Sequence, residues 1–154
     1  MPIEIICGLY LGNRVDACDV NFLSSRNINT IINVSTDIPF LKNLSENNIE
    51  CIRIAVSDNF PESENEKSNR EFYYQLLQFC KLIDYKLSNG MNLLVHCKNG
   101  KYSSTCLVIA YVMYKTKMCL EEIYAILRTK YPLVKLKKHI FREALKMFEK
   151  DIGI

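Results

Sequence analysis

The sequence predicts an α/β fold, a sheet with helices on its faces, from three observations. Short apolar runs rich in β-branched residues recur through the first hundred residues. Helix-length segments stand between them, and the last fifty residues read as helix throughout. Taken in order, residues 3–6 and 9–11 are short strands separated by Cys7-Gly8 and closed by Gly12-Asn13. Residues 16–25 predict a short helix, with Val15, Val20, Phe22 and Leu23 available for one face. Residues 30–34 (Thr-Ile-Ile-Asn-Val) have the composition of a buried strand. Residues 39–47 suit a brief helix with Pro39 in its first turn, and residues 51–56 return to strand.

Residues 59–70 are polar and predict a long surface loop within one domain. The helix expected over 71–87 sets Phe72, Leu76, Phe79, Leu82, Ile83 and Leu87 on one stripe, the pattern of core packing. A strand over 92–96 completes the sheet. Helices follow at 104–117, 120–130 (ended by Pro132) and 136–150. Without repeats or a Gly/Pro-rich linker, residues 1–154 are expected to form a single domain.

Composition narrows the function. With 49% hydrophobic and 24% charged residues the chain is expected to be globular, and a net charge of +3 argues against a nucleic-acid binder. The longest apolar run, residues 105–114, is too short for a transmembrane segment, and Met1-Pro2-Ile3-Glu4 does not open a signal peptide. Seven cysteines without a Cys-x-x-Cys pair, beside two histidines, predict no metal site, no cofactor and a cytoplasmic or nuclear location. Six of the seven are expected to be small buried hydrophobes.

The exception is Cys97. The stretch Val95-His96-Cys97-Lys98-Asn99-Gly100-Lys101-Tyr102-Ser103-Ser104 is a strand end, a glycine-containing loop and a helix that starts with hydroxyl residues. Backbone N–H groups of Lys98, Asn99, Gly100, Lys101, Tyr102 and Ser103, wrapped around phosphate oxygens, would hold a phosphate at the helix N-terminus. Gly100 permits the curvature. The same setting favours a Cys97 thiolate placed for in-line attack on phosphorus. Ser104 would then stabilise that thiolate as leaving group, and His96 is expected to order the loop rather than act as a base.

On these residues the chain resembles the dual-specificity phosphatases, a branch of the protein tyrosine phosphatase superfamily. The resemblance extends through Leu9-Tyr10-Leu11-Gly12, Ile31-Ile32-Asn33-Val34, Ala110-Tyr111-Val112-Met113 and Phe141. It implies a central mixed sheet of about five strands flanked by helices, with a shallow pocket for phosphotyrosine and phosphoserine/threonine at the cysteine loop. It also implies a general acid, which Asp58 matches by position and which is typically worth about 10²–10⁴ in rate. Glu62, Glu64 and Glu66 in the following loop stand either as substitutes for Asp58 or as like charge that repels phosphate.

One position departs from the pattern. Where the family has an arginine that clamps two phosphate oxygens, this chain has Ser103. Losing two charge-assisted hydrogen bonds of roughly 1.5–3 kcal/mol each predicts a rate deficit of about 10²–10⁴. Three functions follow as expectations. The first is a pseudophosphatase that binds phosphorylated protein. The second is an active cysteine-dependent phosphatase in which Lys98 or Lys101 replaces the arginine. The third is a phosphoinositide-directed domain, because Lys98 and Lys101 resemble the loop of the tensin-related phosphoinositide 3-phosphatase. The basic residues Lys130, Lys135, Lys137, Lys138, Arg142, Lys146 and Lys150 are either a surface for anionic lipid or acidic protein, or the solvated side of a helix.

Overall fold

The computed structural model describes residues 2–42, 44–55, 66–98, 102–132, 134 and 139–154, with the backbone alone for residues 45, 66–72, 139 and 140. Five strands make one sheet: β1 (Ile3–Ile6), β2 (Leu9–Asn13), β3 (Ile28–Asn33), β4 (Glu50–Arg53) and β5 (Asn92–Cys97). Their spatial order is β1-β2-β5-β3-β4. β1 runs antiparallel to β2 and the other three pairings are parallel, so the sheet is mixed. The β1–β2 turn depends on Gly8, whose φ of +86° favours glycine, and its N–H donates to Glu4 Oε1 at 3.0 Å. An added Cβ there would also meet Asn92 Oδ1 at 3.0 Å.

Side chains alternate between two cores, as the period of a strand requires. Leu9 and Leu11 of β2, Leu93 and Val95 of β5 and Ile32 of β3 join one cluster, while Tyr10, Leu94 and Ile31 join the other. The first face is covered by α2 (Glu66–Ser88) and α3 (Ser103–Thr116). Onto these pack α4 (Leu120–Lys130) and α5 (His139–Asp151). The second face is smaller and is closed by α1 (Val20–Ser25) with Leu44 and Ile49.

α3 is apolar on all sides, and every residue from its start to Met113 is buried, as befits a helix packed against the sheet, α2, α4 and α5. Its far end is tied to α2 where Asp84 accepts hydrogen bonds from Tyr111 Oη at 3.2 Å and Lys115 Nζ at 2.9 Å. The stripe expected on α2 is present in Leu76, Phe79 and Ile83, with Leu82 and Leu87 partly buried. The Phe72 side chain lies outside the described residues. Among those residues no helix is long and apolar enough to cross a membrane.

Several boundaries differ from the sequence reading. Residues 16–25 are not one helix: a single 3-10 turn (Asp16–Cys18) precedes α1, and Asp19 in extended conformation caps α1 by accepting Phe22 N–H at 3.1 Å. An aspartate that bonds its own downstream backbone competes with helix continuation. The helix expected over 39–47 shrinks to a 3-10 turn, Ser45–Asn47, because the Ile38 carbonyl is taken by Asn33 Nδ2 and Arg53 Nη2 rather than by a helical N–H. α2 begins at Glu66, so the last five residues of the expected loop are helical, and residues 56–65 lie outside the description. Of the six cysteines expected in the core, Cys80 and Cys106 are buried, Cys119 is intermediate, and Cys7, Cys18 and Cys51 are exposed. Cys7 follows β1 at its turn and Cys51 stands on the edge strand β4, both at the margins of the sheet, while Cys18 ends the 3-10 turn.

Because Leu94 is fully buried in the smaller core, Leu94→Ala is expected to cost about 2–5 kcal/mol of unfolding free energy. Val20→Ala, at a side chain 63% exposed, should change it by less than about 0.5 kcal/mol. Urea denaturation of the two variants checks the contrast.

Candidate active site

The four parallel strands all end on one side of the sheet, and β5 reaches that edge between β2 and β3. In open α/β sheets the crevice outside such carboxyl ends, at the point where chain order reverses, is where ligands bind. Gly12, His96, Asn33 and Arg53 stand in one row across β2, β5, β3 and β4. Cys97 is the next residue along β5, paired with Asn13.

Cys97 is 1% exposed, and its Sγ accepts a hydrogen bond from Ser104 Oγ at 3.0 Å. The hydroxyl belongs to the first turn of α3, where Tyr102 is the capping residue and its carbonyl receives Cys106 N–H at 2.9 Å. First-turn N–H groups of a helix have no acceptor within it, and the helix dipole adds a partial positive charge. The sulfur therefore sits at an end of the helix suited to an anion.

His96 is buried beside the nucleophile candidate, with Nδ1 3.4 Å from the Cys97 carbonyl oxygen. Burial pulls its pKa below the ordinary 6.5, and the charge of Arg53 adds to that, while the Cys97 carbonyl and Asp16 oppose it. Asp16 is itself buried: its Oδ2 accepts Asn13 N–H at 2.8 Å, and Asn13 Oδ1 accepts the N–H of Val15 and of Asp16. Gly12 permits this approach, since a Cβ there would lie 2.6 Å from Asp16 Oδ2. Tyr131, buried in the larger core, keeps its proton well into the alkaline range, through burial first and then the nearby charges of Asp16 and Cys97.

On the other side of the row Asn33 is fully buried, donating from Nδ2 to the Ile38 carbonyl at 2.7 Å and accepting from Ser35 Oγ. Arg53 donates from Nη1 to the Ser35 carbonyl at 3.0 Å and from Nη2 to the Ile38 carbonyl at 2.6 Å. Its guanidinium also lies over the Phe40 ring at 5.3 Å. The segment after β3 is thus pinned along the margin of the site. Val34 joins it to the loop, because its N–H donates to the His96 carbonyl at 2.7 Å and its carbonyl accepts from Ser103 Oγ at 3.4 Å.

Of the residues singled out in the sequence, Cys97, Ser103 and Ser104 come together here, all buried. Tyr102 is half-buried against the core, and Lys98 is exposed beside Cys97. Asp58, Asn99, Gly100 and Lys101 lie outside the described residues, as do Glu62 and Glu64. Asp16, Asn33, Arg53 and Tyr131 were missed. Asn33, a lone amide inside a β-branched strand, was the one with a visible signal, since a buried polar residue at a strand end needs partners.

A model of the dual specificity phosphatase catalytic domain matches residues 9–151. The chain belongs to the dual specificity phosphatase family. Among relatives, the mouse dual specificity protein phosphatase 15 is 34% identical over 146 residues, covering 94% of this chain and 56% of its own length. The Drosophila melanogaster dual specificity protein phosphatase Mpk3 is 28% identical over 154 residues, covering 99% and 35%. The chain thus spans between a third and somewhat over half of the length of these relatives. The crystal structure of DUSP15 superposes with a TM-score of 0.78 at 30% identity, covering 96% of this chain and 86% of that one. Human DUSP28 gives a TM-score of 0.82 at 20% identity over 99% of this chain and 95% of that one, a likeness of fold.

The neutral, buried His96 links the stability of this domain to pH. Its contribution is complete above the unfolded value of 6.5 and is lost as the pH falls through the depressed folded value, because the unfolded chain takes up the proton first. Urea unfolding at pH 7.5, 6.5 and 5.5 should show stability declining toward acid, and His96→Gln should flatten that decline.

Proposed function

We propose that this chain is a single dual-specificity-phosphatase-like domain that binds phosphorylated protein at the Cys97 loop and turns it over slowly or not at all. Ser103 carries the reading. It is fully buried, with its hydroxyl donating to the Val34 carbonyl, at the position where the family signature has arginine. A hydroxyl is too short and uncharged to clamp two phosphate oxygens, so the charge that grows on the transferring phosphoryl group loses its main stabiliser. The first turn of α3 still offers an anion its N–H groups, and Lys98 adds an exposed positive charge. Binding is therefore weakened less than turnover. The seven unpaired cysteines suit a reducing compartment, the cytoplasm or nucleus.

A second reading, an active cysteine-dependent phosphatase with an atypical phosphate loop, is favoured by the hydrogen bond from Ser104 Oγ to Cys97 Sγ. In it the Cys97 thiolate attacks phosphorus, the bond to the substrate oxygen breaks, and that oxygen takes a proton from Asp58. Water then attacks the cysteinyl phosphate, releasing inorganic phosphate. The departing thiolate is stabilised by Ser104. Lys98 and Lys101 supply the positive charge, and the backbone of Asn99, Gly100 and Tyr102 helps to hold the phosphoryl oxygens.

Steady-state hydrolysis of p-nitrophenyl phosphate by the protein and by Ser103→Arg distinguishes impairment from full activity. The variant is expected to be about 10²–10⁴-fold faster, and Cys97→Ser introduced into it should abolish the gain. Equal rates in the two proteins, at a level that Cys97→Ser removes, would overturn impairment. Calorimetric titration should show the unmodified chain binding a phosphotyrosyl peptide and not its unphosphorylated form.

A further inference from the structure

We propose that the outer edge of β4 is a self-association surface, where a second copy of this chain pairs antiparallel through Cys51 and Arg53 and joins the two sheets into one. The inference stands on the sheet edge and does not depend on the reading of the Cys97 loop.

β4 is the last strand in the order β1-β2-β5-β3-β4, so its ladder within the sheet is the parallel one to β3. Ile54 N–H donates to the Asn33 carbonyl at 2.9 Å. Backbone direction alternates along a strand, so Ile52 also faces β3, while the N–H and C=O of Cys51 and Arg53 point away from the sheet. Among the described residues none of these outward groups has a hydrogen-bond partner, and Glu50, Cys51 and Arg53 are exposed.

An unpaired row of this kind is a template for another strand, and proteins ordinarily guard it with a bulge, a proline or free charges. The opposite edge, β1, carries a bulge between Glu4 and Ile6. β4 pairs with β3 without a register shift and contains no proline. Its two charges are drawn onto their own chain. Glu50 is paired with the buried Lys86, and Arg53 is held by the Ser35 and Ile38 carbonyls and over the Phe40 ring.

A second copy fits this edge in one register. Directly opposed residues of an antiparallel pair either exchange both backbone bonds or both face away. Centring the pair on Ile52 sets Cys51 of each copy against Arg53 of the other, which uses every outward group. It brings together the two Ile52 side chains, which pack at the margin of the larger core. It also keeps like charges apart, with Glu50 opposite Ile54 and Arg53 opposite Cys51. Centring on Arg53 would oppose that charge to its own copy. Centring on Cys51 would set Arg53 against Ile49, whose N–H is already given to the Leu44 carbonyl. A strand this short makes a weak, concentration-dependent dimer.

Sedimentation velocity of the reduced protein from about 10 µM to about 1 mM tests the pairing, with amide hydrogen exchange at both ends of that range. A reversible dimer is expected toward the upper end. There the N–H groups of Cys51 and Arg53 should exchange more slowly than in dilute protein, whereas Ile52 N–H is protected at both concentrations. Cys51→Pro removes an outward N–H and spares the ladder to β3, a change that edge strands tolerate. It should weaken association by more than about tenfold. Cys51→Ser, which keeps the backbone, should associate like the parent. A protein that stays monomeric at about 1 mM overturns the proposal, as does a dimer in which the Cys51 and Arg53 N–H groups exchange freely. Protection of both groups at every concentration overturns it too, since the edge would then be covered by its own chain.

Discussion

Everything in this molecule is organised around the insertion of β5 between β2 and β3. Leu93, Leu94, Val95, His96 and Cys97 are each 1% exposed or less, so the strand is closed by neighbours on both edges and by packed side chains on both faces. A strand so confined has no room to slip, since a shift of one residue would exchange its two faces. The sulfur of Cys97 inherits that rigidity. Its height above the sheet and its distance from α3 are set by the same ladder that holds the core.

That constraint separates two kinds of polar group at the strand ends. His96, Asn33 and Asp16 are buried and each bonds to the backbone nearby, which holds the rim of the site in shape. Lys98 and Arg53 are exposed and carry the positive charge outward. Ser103 belongs with the first group, buried and bonded to the end of β3. Positive charge is thus arranged at the margin of the site, where water screens it, whereas a buried arginine at that position would act in a drier medium.

Local pattern was enough for much of the fold. The apolar strands at residues 30–34 and 92–96, the stripe on α2 and the apolar run at 105–114 are legible in the chain, because burial leaves an apolar trace in it. The failures lie where a side chain captures a backbone group that a helix would have used. Residues 39–47 have acceptable helix composition, but Arg53 and Asn33 capture the Ile38 carbonyl that would accept the first helical hydrogen bond. Asp19 broke the expected helix over 16–25 through a short-range bond that was legible in principle, since aspartate is a favoured cap. At the site, Cys97 and Ser104 were visible because they are seven residues apart on one loop. Arg53 and Tyr131 were not, because only the assembled sheet and helices bring them near it.

The order of the strands bears on how the chain assembles. β2 and β3 are made first and cannot complete their inner edges with each other, because the strand that joins them lies at residues 92–97. Until those residues are available, two apolar strands keep unsatisfied backbone along their inner sides, the condition that invites pairing between chains. Contacts of such long sequence separation also make the search slow. The strand that ends in Cys97 is consequently the one that ends this exposure, so the chain sets Cys97 in place and closes its sheet in the same step.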